Sequence, residues 1–172
     1  MLSFARDLPN LCSLTGLFAT TLGIYYAIRG IYPAAMIALL WAVVFDWTDG
    51  LIARRMKDRT GDQREFGAQL DSLIDIISFS VAPALLLLSV AQLNPWFIPG
   101  AFVILATGAI RLSHFNVFGL VGDSAYRGLA LDNNVLVLAV LFVFEPAIGI
   151  TTFSIVLSVA LMPFAALNVA PI

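Results

Sequence analysis

The amino-acid sequence predicts an all-α integral membrane protein, a single transmembrane domain of six helices that extends over residues 1–172. Composition is the first observation behind this prediction. Of the 172 residues, 60% are hydrophobic and 12% are charged, about half the charged fraction of a typical soluble domain. The second observation is that the apolar residues fall into long runs that do not alternate with polar ones. Such runs favour helices over the strands of a membrane barrel.

Six runs qualify as candidate spans, because a transmembrane helix needs about 20 mostly apolar residues. The first run follows Pro9 and Asn10, and the second begins at Pro33, a residue that suits the first turn of a helix. The third follows a charged loop, residues 55–66. The predicted spans are residues 11–28, 33–54, 67–93, 96–115, 132–144 with an extension over 128–131, and 151–169.

The basic residues predict an orientation. With the N-terminus placed in the cytoplasm, only Arg29 lies on the opposite side, a bias that is typical of membrane proteins. The residues on or near the cytoplasmic side are then Arg6, Arg54, Arg55, Lys57, Arg59, Arg64, Arg111 and Arg127. We therefore expect loop 55–66, and the ends of the two spans it joins, to face the cytoplasm of a bacterial or archaeal cell.

Several classes of protein are disfavoured by simple counts. The single cysteine, Cys12, excludes a disulfide framework and a four-cysteine metal site. The single histidine excludes a multi-histidine zinc site within one chain. A net charge of −2 without a long basic face argues against a nucleic-acid partner.

Four aspartates, Asp46, Asp49, Asp71 and Asp75, interrupt the apolar sequence of the second and third spans. A charged side chain at bilayer depth costs several kcal/mol. On a helix, Asp46 and Asp49 share one face, and the four-residue spacing of Asp71 and Asp75 places them on another. Divalent cations such as Mg²⁺ take oxygen ligands. The pattern therefore predicts that carboxylates from the two helix faces bind the same one or two metal ions. The alternative is that these aspartates lie at the membrane interface and face water.

The residues between these aspartates suit a phosphorylated ligand. Gly50 and Ala53 remove side-chain bulk where a ligand could approach the backbone. Arg54 can bind a phosphate group through a forked pair of hydrogen bonds. These features predict a metal-dependent membrane enzyme that acts on a phosphate-containing substrate.

The string DWTDGLIAR, followed by GAQLDSLID, resembles the signature of the CDP-alcohol phosphotransferases. In one-letter code, with x for any residue, that signature reads D-x-x-D-G-x-x-A-R, followed by a spacer and then G-x-x-x-D-x-x-x-D. Every fixed position is present. The spacer between Arg54 and Gly67 has twelve residues, which is longer than the usual family spacer by about one helical turn. The family's six-helix bundle would cover nearly the whole chain.

The resemblance implies a role for each signature residue. The four aspartates would hold one or two Mg²⁺ or Mn²⁺ ions. Asp71 and Asp75 would be the catalytic residues, and Asp75 would take the proton from the acceptor alcohol. The residues that would contact the cytidine diphosphate part of the donor are Asp49, Gly50, Ala53, Arg54 and Gly67.

The segment after the signature, DSLIDIISFSVAPALLLL, resembles the phosphatidylserine synthase branch of the family. Members of this branch typically read DSL-x-D-x-x-SFG-VAPA, so that Ser80 stands in the place of a glycine. The string AIRLSHFNV resembles the branch's RLARFN segment, with His114 in the place of the second arginine. Residues 126–130, YRGLA, lack the two prolines that the branch usually carries there.

Some candidate residues have two interpretations. Arg111, which we expect among the substrate-binding residues, lies three residues before His114, and the pair could hold the carboxylate of serine. Alternatively, both side chains could extend towards lipid phosphates. Pro9, Asn10 and Thr15 resemble the family's entry to the first span, where they would either contact the nucleotide or cap the helix.

Taken as a member of this family, the protein would transfer a phosphatidyl group from CDP-diacylglycerol to a small polar alcohol, with L-serine the first expectation. The products would be phosphatidylserine and CMP. The acceptor could instead be glycerol phosphate, inositol, inositol phosphate or choline, or the donor could be a soluble CDP-alcohol and the acceptor diacylglycerol. A cation carrier is the rival from another class. The resemblance further implies a homodimer surrounded by membrane lipids.

Overall fold

The structure, a computed structural model, describes residues 2–119 and 129–170, which form helices joined by turns and contain no strand. Each long helix is built from one of the apolar runs, because a helix satisfies all of its backbone groups internally. The helices are α1 (Leu2–Ala5), α2 (Leu8–Ile28), α3 (Tyr32–Arg55), α4 (Gly61–Ile76), α5 (Ala82–Val90), α6 (Ile98–Phe118), α7 (Asp132–Phe142), α8 (Glu145–Ile148) and α9 (Ile150–Val169).

Within the described residues, five helical stretches are long and apolar enough to cross a membrane: Leu8–Ile28, Tyr32–Arg55, Gly61–Val90, Pro95–Phe118 and Ile150–Val169. The all-helical membrane architecture is thereby confirmed. The fifth predicted span is shorter than expected, because α7 has 11 residues. At 1.5 Å per residue it is about 16 Å long, roughly half the thickness of a bilayer core. Residues 120–128, which include Arg127 and the start of the predicted extension, lie outside the described residues.

The third span begins six residues earlier than its predicted start at Gly67. Thr60 and Gln63 form a capping box: the Thr60 Oγ1 atom accepts from the Gln63 backbone N–H at 3.3 Å, and Gln63 Oε1 accepts from the Thr60 N–H at 2.9 Å. A capping box satisfies two of the N–H groups that a helix start leaves without partners. Half of the predicted charged loop therefore forms the first turns of α4, and the loop itself shortens to residues 56–60.

Helix α4 continues into α5 through a π-helical segment, Ile77–Val81, so that residues 61–90 form one helical stretch. Pro83 lies just after this segment, and it has no backbone N–H to offer to the carbonyl group of Phe79 four residues earlier. The side-chain amide of Asn134, on α7, donates to that carbonyl at 3.3 Å. The irregular segment is thus tied directly to a neighbouring helix.

Close helix packing depends on glycines at the interface of α2 and α3. A Cβ atom placed on Gly23 would lie 2.9 Å from the side chain of Leu39, and one on Gly16 would lie 3.1 Å from Phe45 Cβ. Small residues let helix backbones approach in this way inside a membrane. Helix α5 packs against both α2 and α6, while α7 packs against α3. This arrangement brings the first turn of α7 to the wall that α3 and α4 form with their aspartates.

Candidate active site

Three of the four signature aspartates converge. Asp46 and Asp49 on α3 and Asp71 on α4 each offer a carboxylate oxygen, and these atoms all lie within 4.8 Å of one another. Asp75, one turn after Asp71, lies within hydrogen-bond reach of Asp46. The Oδ1 atom of Asp75 is buried and has no hydrogen-bond partner among the described residues.

The chemistry of this donor set fits a divalent cation. Oxygen atoms that converge from several carboxylates are the ligands that Mg²⁺ and related ions take in proteins. Four like charges packed together in a partly buried position are unfavourable unless a cation or a proton compensates them. The buried Oδ1 of Asp75 is an acceptor without a hydrogen-bond partner among the described residues, which points to a group that the chain itself does not supply.

Ser13, for which the sequence predicts no role in the site, forms a hydrogen bond to one of the four aspartates. Its hydroxyl group, buried on α2, donates to Asp49 Oδ2 at 2.5 Å. The sequence contains little signal for this contact, because a serine in an apolar helix commonly bonds to the carbonyl four residues earlier. Ser13 also lies 3.2 Å from the carbonyl oxygen of Pro9, which is that ordinary interaction.

The main cavity beside the cluster has a volume of about 400 Å³. All four aspartates line it, together with three of the predicted substrate-binding residues, Gly50, Arg54 and Arg111. A Cβ atom on Gly50 would meet only the Arg54 side chain, at 3.8 Å, so this wall leaves room for a ligand. The complete lining is Asp46, Trp47, Asp49, Gly50, Arg54, Asp71, Asp75, Phe79, Arg111, Leu112, Phe115, Ala130, Leu131 and Asp132.

A second cavity of about 230 Å³ shares Asp49, Gly50 and Asp71 with the first. Ala53 and Gly67, both predicted to contact the nucleotide, line this second cavity. The remaining residues of its lining are Pro9, Asn10, Ser13, Arg59, Arg64 and Ala68. Thr15 does not line either cavity; its side chain is exposed and its hydroxyl donates to the Leu11 carbonyl at 2.8 Å. Of the three N-terminal candidates, the structure thus brings Pro9 and Asn10 to the site.

Gly67 is needed for close packing beside the second cavity. A Cβ atom there would lie 2.6 Å from Arg59 Nη2 and 2.9 Å from Asn10 Oδ1. Arg59 in turn forms a buried ion pair, its Nε donating to Asp7 Oδ2 at 2.6 Å. The sequence indicates Arg59 only as a basic residue of the charged loop, whereas the structure shows that it fixes the loop between α3 and α4 against the N-terminal residues.

Arg111 and His114 are not brought together as a pair. Arg111 is buried in the wall of the main cavity, where its Nε donates to the carbonyl oxygen of Leu129 at 2.6 Å. His114 is exposed, and its ring packs against Phe118 with the centroids 4.6 Å apart. Burial of Arg111 at the cavity favours a role in the site over extension towards lipid.

The main cavity contains one further charged group that the sequence analysis did not assign to the site. Asp132, in the first turn of α7, accepts a hydrogen bond from Trp47 Nε1 at 2.7 Å. Both residues line the cavity. An acidic residue in the first turn of a helix is commonly explained by the helix dipole, so the sequence by itself contained no signal for a position at the site.

Known proteins resemble this chain over most of its length. The family model described as CDP-alcohol phosphatidyltransferase matches residues 6–167. The archaetidylserine synthase of Methanothermobacter thermautotrophicus is 40% identical over 130 residues, 72% of this chain and 52% of the relative. The CDP-diacylglycerol–serine O-phosphatidyltransferase of Methanocaldococcus jannaschii is 33% identical over 121 residues, 70% of this chain and 56% of the relative. This chain thus spans about half the length of these curated relatives, and no solved structure matches it.

Proposed function

This chain belongs to the CDP-alcohol phosphatidyltransferase family, and from that premise we propose that it transfers a phosphatidyl-type group from a CDP-activated lipid to L-serine, releasing CMP. The observation that carries the proposal is the convergence of Asp46, Asp49 and Asp71 beside a cavity of about 400 Å³. The names of the relatives, an archaetidylserine synthase and a CDP-diacylglycerol–serine O-phosphatidyltransferase, support serine as the acceptor. They differ in the lipid, so we leave the donor as a CDP-activated lipid.

We propose that Asp46, Asp49 and Asp71 hold Mg²⁺ or Mn²⁺, with Asp75 completing the site. A divalent ion there would neutralise negative charge on the diphosphate of the donor, the main requirement of phosphoryl-type transfer. Arg54, exposed near the end of α3, lines the main cavity and would bind a phosphate group there. The nucleotide would lie against the small residues of the second cavity, which are Gly50, Ala53 and Gly67.

In the proposed reaction, Asp75 accepts the proton of the serine hydroxyl group. The hydroxyl oxygen forms a bond to the lipid-side phosphorus atom, and the bond from that phosphorus to the bridging oxygen breaks. The bridging oxygen leaves with CMP, and the proton on Asp75 returns to solvent. The position of Asp75 supports this role, because it lines the cavity one turn from Asp71 and has a buried oxygen without a hydrogen-bond partner among the described residues.

The finer points of location and assembly are also proposals. We propose that residues 1–172 act as one catalytic domain in the membrane of a bacterial or archaeal cell, with the N-terminus and the site on the cytoplasmic side. The exposed basic residues Arg54, Arg55 and Lys57 near the site support this orientation. The homodimer that the family resemblance implies is part of the same proposal.

The test is CMP release by the purified protein in vesicles that contain a labelled CDP-lipid. We expect release to depend on L-serine and not on glycerol phosphate, inositol or choline. A chelator should abolish release, and Mn²⁺ or Mg²⁺ should restore it. Release that is independent of every alcohol, or that persists in the chelator, would contradict the proposal. Cation flux across the same vesicles without any nucleotide would instead favour the carrier alternative.

A further inference from the structure

The acidic residues that line the main cavity come from three helices. Helices α3 and α4 contribute the four aspartates of the proposed metal site, and α7 contributes Asp132. Helix α6 contributes Arg111 to the same lining. We infer that Asp132 binds the ammonium group of the acceptor serine and thereby selects an amino alcohol over alcohols without an amine. This inference rests on the proposed transferase function and adds a specificity-determining residue to its site.

The carboxylate of Asp132 is held in a defined orientation. Its Oδ2 accepts from the Trp47 indole at 2.7 Å. Its Oδ1 accepts from the backbone N–H of Asn133 at 3.0 Å and from the Asn133 side-chain amide at 3.5 Å. A carboxylate has about four acceptor positions, so these three bonds orient the group and leave one position, on Oδ2, for a ligand. The indole comes from α3 and the carboxylate from α7, which means that helix packing places the acid in the cavity wall.

Charge balance points to a cationic ligand. The ion pair that the structure shows within residues 2–119 and 129–170 joins Arg59 to Asp7, and no described Lys, Arg or His forms one with Asp132. A partly buried carboxylate without a cationic partner is unfavourable, and an ammonium group would compensate it through charge-assisted hydrogen bonds. Arg111 contributes positive charge to the same cavity, as the carboxylate of an amino acid requires.

Asp132 is distinct from the metal-binding set. It lies on a different helix from the four signature aspartates, and the group of oxygens within 4.8 Å comprises only Asp46, Asp49 and Asp71 among the described residues. A purely structural role, in which Asp132 and Trp47 only join α3 to α7, is the remaining alternative, and it predicts lost stability without a change in acceptor preference.

The first experiment compares Asp132→Asn with Asp62→Asn. Asp62 is also in the first turn of a helix, is exposed and lines none of the described cavities, so it controls for loss of one negative charge at that position. We expect Asp132→Asn to raise KM for L-serine about 10- to 100-fold, the loss of one charge-assisted hydrogen bond. The KM for CDP-lipid and kcat at saturating serine should change less than about twofold, and Asp132→Glu should recover part of the loss. An unchanged KM for serine in a folded Asp132→Asn protein would overturn the inference.

The second experiment uses the wild-type protein and needs no variant to fold. Glycerate has the hydroxymethyl and carboxylate groups of serine but a hydroxyl in place of the ammonium group. We expect glycerate to compete with serine at least tenfold more weakly than serine analogues that keep the amine. Equal competition would overturn the inference. CMP release that prefers inositol or glycerol phosphate would overturn the inference and serine as the acceptor, although transfer from a CDP-activated lipid would stand. No release with any alcohol would overturn the transferase function itself.

Discussion

Neutral side chains from neighbouring helices orient the acidic groups of the cavity. Ser13 on α2 donates to Asp49 on α3, and Trp47 on α3 donates to Asp132 on α7. In each case the donor and the acceptor belong to different helices. Hydrogen bonds of this kind orient metal ligands and their neighbours, so the geometry of the site depends on single polar groups outside the aspartate motif.

Replacement of Ser13 by alanine should weaken metal binding at the proposed site. Without the hydroxyl, Asp49 loses its orienting donor, and the loss of such a partner typically costs about 10- to 100-fold in metal affinity. The measurement is CMP release as a function of Mn²⁺ concentration. Thr21→Ala is the matched control, because the exposed Thr21 hydroxyl donates only to the Leu17 carbonyl of its own helix. A metal requirement that is equal in both variants would contradict the role assigned to Ser13.

Replacement of Asp75 by asparagine should separate binding from turnover. We expect the variant to bind the cytidine nucleotide, because Asp46, Asp49 and Asp71 still converge. CMP release should fall at least about 100-fold, the usual contribution of a general base. Nucleotide binding by calorimetry and CMP release would be measured on the same preparation. Wild-type turnover in this variant would show that Asp75 is not the base.

At the scale of the elements, the π-helical segment Ile77–Val81 connects helix α4, which contains Asp71 and Asp75, to the core. Ser78 lies 2.6 Å from Thr20 on α2 through their hydroxyl oxygens, and Phe79 accepts from Asn134 on α7. Ser80 packs directly against Gly108 on α6, where an added Cβ would lie 2.9 Å from Ser80 Cβ. Short π segments often occur at functional sites, and this one begins two residues after Asp75.

The contact between Ser80 and Gly108 leads to a paired prediction. Gly108→Ala should destabilise the protein by about 1–3 kcal/mol, because the new methyl group overpacks against Ser80. Ser80→Gly in the same chain should recover most of that loss. Thermal unfolding in detergent would measure both variants, with Gly61→Ala as the control, since a Cβ on Gly61 meets nothing within 4 Å. Purely additive effects of the two substitutions would refute the proposed contact.

At the scale of the whole molecule, large apolar side chains cover the outer surface of the helices. Phe18, Phe102 and Val159 are each more than 60% exposed, on three different spans. Such a surface suits a bilayer, where lipid chains replace water as the solvent. The turn between α5 and α6 and the loop between α3 and α4 lie at opposite ends of the helical stretch Gly61–Val90.

This arrangement predicts opposite accessibility for two introduced cysteines. In a Cys12→Ser background, Asp58→Cys should react with a membrane-impermeant maleimide only from the cytoplasmic side. Gln92→Cys should react only from the other side, because both residues are exposed and residues 61–90 separate them. Labelling of right-side-out and inverted vesicles would provide the comparison. Reaction of both cysteines from the same side would contradict the topology, and exchanged sides would reverse the proposed orientation.

Much of the architecture and the proposed metal ligands could be predicted from sequence. Spans follow from runs of apolar residues, and the 3- and 4-residue spacings of the aspartates follow from helical periodicity. Both are local properties of the chain. The predicted helix boundaries were nevertheless inexact. The third span begins at the capping box of Thr60 and Gln63 and not at Gly67, and α7 is shorter than the apolar run that predicted it.

The sequence by itself determined an all-helical membrane protein and the residues that could hold a metal ion. Only the tertiary structure decided which side chains complete the cavity. Ser13 and Asp49 are 36 residues apart, and Trp47 and Asp132 are 85 apart. In a membrane helix that is apolar on nearly every side, the sequence does not specify which face meets which neighbour. Close packing and the partners of the few polar groups settle that choice.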